Sequence, residues 1–112
     1  MDKLIKNVDP ETVFRMGGQV EYLPGQIVSK TLAQNDAVSL TIFAFDKGEE
    51  ISTHASEGDA MITVLEGTGQ ITIDGKKYVL NGGESILMPA GKPHAVYGLE
   101  KFKMFLTVVF PE

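Results

Sequence analysis

The chain has no cysteine. Disulfides and thiolate metal sites are therefore excluded, and the composition fits a reducing compartment. It has no excess of positive charge either: ten basic residues stand against fifteen acidic ones, a formal charge of -5 at pH 7. The basic residues are scattered, with Lys76-Lys77 and Lys101/Lys103 as the only local pairs, so no basic stripe is offered to nucleic acid. Long apolar runs are also missing. The strongest, Ala37 to Phe45, is broken by Ser39 and Thr41 and is too short to span a bilayer. The first residues, Met1 to Lys6, lack the apolar stretch of a signal peptide. The expectation is a cytoplasmic protein that engages neither membrane nor nucleic acid.

Helix signals are equally scarce. Asp9 is a good N-cap, Pro10 suits a first helical position, and Gly17-Gly18 can end a turn. Val8 and Val13 are spaced to staple that start. The pattern predicts one short helix over residues 10–16 and no other.

What remains is β. With 112 residues, 43% of them hydrophobic and 22% charged, the chain has room for one domain around one core. Period-two alternation and turn residues predict strands at 26–33, 38–45, 50–54, 59–66, 69–74, 76–80, 85–88, 94–98 and 102–109. Asp74-Gly75 between Ile73 and Lys76 reads as a two-residue hairpin turn. Phe102, Met104, Leu106, Val108 and Phe110 share one face of the last strand, and Phe105 and Val109 the other. A strand apolar on both faces is sandwiched between layers or covered by a partner. The class is all-β, a barrel or sandwich spanning about residues 18–110.

Two segments carry chemistry. The first runs from Gly48 through His54 and Ser56 to Gly67; the second runs from Gly83 through Pro89 and Gly91 to His94. These spacings resemble the two signature motifs of the cupin superfamily, G-x5-H-x-H-x3-4-E-x6-G and G-x5-P-x-G-x2-H-x3-N. Gly48, His54 and Gly67 match the first, and Gly83, Pro89, Gly91 and His94 the second. The resemblance covers roughly residues 38–110 and implies a double-stranded β-helix, or jelly-roll, barrel. It also places His54, Ser56, Ala60, Ile62 and Val64 on the interior face.

In metal-binding cupins the first motif supplies two histidines and a glutamate, and the second motif one more histidine. Here Ser56 stands at the second histidine position, Ala60 at the glutamate and Gly98 at the final asparagine. Serine is a poor ligand and alanine none, while catalytic zinc sites typically use three protein ligands. Glu57 and Asp59 are the nearby carboxylates that could complete a set, although alternation points Asp59 outward. The resemblance leaves three readings open. In the first, His54 and His94 hold one transition metal (Zn, Ni, Cu or Fe) for an isomerase- or oxygenase-type enzyme acting on a small organic substrate. In the second, a metal-free barrel uses His54 or His94 as acid or base, with Tyr97 as the candidate accompanying tyrosine. In the third, the barrel binds a small molecule in a pocket centred on His54 and His94, with Ser56, Ala60, Phe43, Met88 and Phe105 on its wall. The third is the leading expectation. A homodimer is expected too, because a small barrel leaves sheet edges open, with a strand near 18–22 able to cross to the partner.

Overall fold

Apolar-polar alternation becomes seven antiparallel strands in the computed structural model, which describes residues 4–112. They are β1 (Ile27–Gln34), β2 (Val38–Phe45), β3 (Glu50–His54), β4 (Asp59–Ile73), β5 (Lys76–Asn81), β6 (Ser85–Met88) and β7 (His94–Val109). The nine expected strands appear as seven because 59–66 and 69–74 join into β4, and 94–98 and 102–109 into β7. The Asp74-Gly75 turn between β4 and β5 has positive φ at both residues, as a type I′ hairpin requires.

The two long strands form the spine. β4 and β7 pair from Asp59↔Val109 to Ile73↔His94, and the other strands attach to one half or the other. β6 joins the first half of β4 and β5 its second half; β3 joins the first half of β7 and β2 its second half, with β1 outside β2. The register slips between Val64/Glu66 and Gly67/Gly69, where the spine bends. Bulky residues could not pass there: a Cβ on Gly69 would sit 2.7 Å from the Phe102 ring.

One end of the barrel is solid. Phe45 and Phe102 stack with ring centroids 4.7 Å apart, and Val64, Ile71 and Leu80 pack in the same cluster. Each such side chain contributes about 1.5–3 kcal/mol through burial. A second, smaller cluster lies outside the sheet, where Val20, Leu32, Ile42 and Ala44 are buried with Val8, Met16, Tyr22 and Phe105 against them. This explains the doubly apolar strands: one face points into the barrel, and the other lies under the N-terminal segment.

That segment is not the expected helix. Residues 10–11 form a turn with Glu11 at φ 57°, residues 12–15 are irregular, and the single helical element is a 3-10 turn at Met16–Gln19. Val13 is fully exposed, so no staple with Val8 forms. A seven-residue helix gains little from its own hydrogen bonds and has no wide apolar stripe to bury. The chain is held as a strap instead. Lys6 N donates to Leu32 O, Asn7 Nδ2 to Thr31 O and Lys103 Nζ to Gly17 O at 2.6–2.8 Å. Lys103 also lies 3.6 Å from Glu66, whose other oxygen accepts from Tyr22 Oη. Residues 18–22 form no strand either: Val20, 4% exposed, is buried against its own sheet. Among the described residues, no helix is long and apolar enough to cross a membrane.

Candidate functional site

The opposite end of the barrel is hollow. A cavity of about 340 Å³ lies between β3, the first half of β4, β6 and both halves of β7. Phe43, Ile51, Ile62, Met88, Val96, Met104, Leu106 and Val108 line it, together with Ala55, Ser56, Ala60, His54 and His94. Its size falls within the range of small-molecule sites, and its wall is mainly apolar.

A bulge aims the first histidine. Ile51 pairs with Val96, and the next paired residues are His54 and His94, three steps along β3 against two along β7. Strict alternation from Ile51 would turn residue 53 inward and His54 outward. The extra residue reverses that parity, so Ile51 and His54 both face the cavity. His94, two residues before Val96 on β7, faces inward by ordinary alternation. The imidazoles therefore meet as cross-strand neighbours, with centroids 4.4 Å apart and planes at 70°.

The two rings are oriented alike. His54 Nδ1 lies 3.0 Å from Ser52 O, and His94 Nδ1 3.2 Å from Lys92 O. A carbonyl oxygen only accepts, so each Nδ1 carries the proton. In the neutral ring this leaves Nε2 as an acceptor. His94 is 4% exposed, whereas His54 sits at the open rim. Burial and the adjacent His54 hold His94 below the ordinary imidazole value, partly offset by its bond to Lys92 O.

Backbone-fixed imidazoles of this kind suit metal binding, but the rest of the donor set does not. Ser56 Oγ accepts from Gly58 N at 3.1 Å, and Ala60 has no donor atom. Asp59 Oδ1 accepts from Ala90 N at 2.8 Å, and Glu57 is exposed and does not line the cavity. Among the described residues no group of three His, Asp or Glu side chains could hold an ion. The residues present do not fit a resident metal. Asp59 has a structural task instead. With Gly91 N, which donates to Ser56 O, it ties the loop after β3 to the loop before β7.

Of the residues expected on the wall, Phe43, Ser56, Ala60 and Met88 line the cavity and Phe105 does not. Phe105 lies on the outer face of β7, in the cluster beneath the strap. Its parity opposes it to Met104 and Leu106, and that signal was available in the sequence. Tyr97 is also off the cavity, since Val96 takes the inward position and Tyr97 pairs with exposed Glu50 and with Gln70. Ile51, Leu106 and Val108 are wall residues not singled out in advance. The last two follow from the shared face of β7, but Ile51 is reached only through the bulge.

The Cupin domain family model matches residues 41–110. The chain is a cupin. Its fold is similar to a conserved protein of unknown function from Streptococcus pyogenes (43% identity, TM-score 0.97, covering 99% of this chain and 97% of that one). It is also similar to a cupin superfamily protein from Desulfitobacterium hafniense (32% identity, TM-score 0.91, covering 96% and 98%). Among curated proteins it is 30% identical to quercetin 2,3-dioxygenase from Bacillus subtilis over 88 residues, 74% of this chain. This cupin spans about a quarter of that enzyme's length, 26%.

Proposed function

We propose that this cupin binds a small apolar molecule in the cavity that His54 and His94 flank. One observation carries the reading: a hollow of about 340 Å³ with a mainly apolar wall, holding two fixed imidazoles in mutual contact. The same reading takes the working unit to be a homodimer. Support comes from an outer apolar row of Met61, Leu87 and Val109, 44–55% exposed. A thermal-shift screen of small apolar compounds, on protein stripped with chelator, tests the cavity. A compound at a hundred times its dissociation constant stabilises by about 2.7 kcal/mol. A screen in which nothing raises the unfolding temperature would remove the reading.

A second reading is a metal-dependent cupin enzyme of isomerase or oxygenase type. The similarity to quercetin 2,3-dioxygenase supports it, and the incomplete donor set opposes it. Elemental analysis of untagged protein purified without chelator, beside His54→Ala, separates the two. Zinc, nickel, copper or iron in the parent and not in the variant favours the enzyme; its absence from both favours the binding barrel.

A further inference from the structure

We propose that the molecule this cavity accepts is an uncharged apolar compound bearing a hydroxyl group, which donates its hydrogen bond to the His54–His94 pair. The inference rests on the small-molecule-binding reading and adds the chemistry of the polar end.

The argument is one of donors and acceptors. Both Nδ1–H groups are already given to backbone carbonyls outside the cavity wall. What the pair offers a ligand is the Nε2 lone pair of each of two rings whose centroids are 4.4 Å apart. The other side chain on the wall with a hydrogen-bonding oxygen is Ser56, which accepts from Gly58 N and keeps a single O–H donor, away from the two ring nitrogens that define the polar end.

Each head group then fares differently. A carboxylate or phosphate would meet no lysine or arginine, since none lines the cavity, and would lose its hydration without a cation in return. Charging His94 to receive it means placing a charge on a ring that is 4% exposed, again without a carboxylate partner. At the histidine pair an ether or ketone presents lone pairs to lone pairs. A pure hydrocarbon leaves the acceptor of the buried His94 dry. A hydroxyl supplies the missing proton, while the phenyl, alkyl and thioether groups of Phe43, Leu106 and Met88 receive the apolar body.

Three probes with one body and different heads test this: 2-naphthol, 2-methoxynaphthalene and 2-naphthoate. The chain has no tryptophan, so naphthalene emission reports binding directly. Titrations in the presence of chelator should show 2-naphthol binding about tenfold more tightly than 2-methoxynaphthalene. 2-Naphthoate should be weaker than 2-naphthol. In His94→Leu the naphthol and methoxy compounds should come within about twofold of each other. If 2-methoxynaphthalene or 2-naphthoate matches 2-naphthol in the unmodified protein, the head-group assignment is wrong while the cavity reading stands. If none of the three binds, the cavity reading fails and takes the assignment with it. The comparison on the unmodified chain decides the matter even if His94→Leu does not fold.

Discussion

His94 differs from His54 by its surroundings. Both share the same backbone bond through Nδ1, but one ring is buried and the other lies at the rim. The lowered pKa of His94 has a consequence for stability with a definite sign. As pH falls, the unfolded chain takes up this proton first, so the folded state loses ground from about pH 6.5 downward. The loss ends once the pH is below the folded-state value, and above neutrality the effect is absent. The unfolding temperature should therefore fall more steeply from about pH 7 to about pH 5 in the parent than in His94→Leu. Parallel curves would count against it. By NMR, His94 should titrate with a midpoint below the ordinary 6.5, moving upward in His54→Ala. The pair itself was legible, because both histidines fall at fixed distances from the glycines and proline of the two motifs. Aromatic character suggests a wall position for Phe105 and the family resemblance an acid–base partner in Tyr97, while parity along β7 turns both away from the cavity.

At the level of strands, the features hardest to read are breaks in regularity. The bulge between Ile51 and His54 carries no glycine to announce it, yet it sets which face His54 takes. The strap was misread as a helix because its capping residues are real, whereas the side chains behind them pack outward on a sheet distant in sequence. Local signals set the turn, and long-range burial of Val8, Met16 and Val20 set the path. The Asp74-Gly75 hairpin, by contrast, is wholly local and was readable outright. The bend of the spine yields a quantitative expectation. Gly69→Ala puts a methyl group 2.7 Å from the Phe102 ring, which is itself fully buried and stacked on Phe45. Overpacking of this kind costs about 1–3 kcal/mol, measurable as a lower urea midpoint with unchanged slope. An unchanged midpoint would mean that Phe102 has room to shift. Val79→Ala, on an outward position 56% exposed, should change the unfolding free energy by less than about 0.5 kcal/mol.

For the molecule as a whole, the all-β class and the barrel were legible because every level of the sequence agrees: alternation, turn residues and motif spacing. Whether copies associate was not, since that depends on which outer face stays bare. The segment at 18–22 is spent on its own chain, leaving Met61 beside Leu87 across β4 and β6 as the exposed apolar face. Light scattering at micromolar concentration should give twice the 12.2 kDa chain mass, and Met61→Lys with Leu87→Lys should return the mass of one chain. A single-chain mass for the unaltered protein would dispose of the dimer.

The division of the barrel into a solid end and a hollow end bears on how such a chain can change over time. Phe45, Phe102, Val64, Ile71 and Leu80 do not line the cavity, although they continue the same core that Ile62, Met88, Val96 and Met104 of the wall belong to. Substitutions at Ile51 or Leu106, partly buried wall positions at the edge of that core, alter what is accepted without touching the Phe45–Phe102 stack. A scaffold arranged this way can vary its guests through the wall, and β4 and β6 keep their register with an alanine, Ala60, where metal-binding cupins have a ligand.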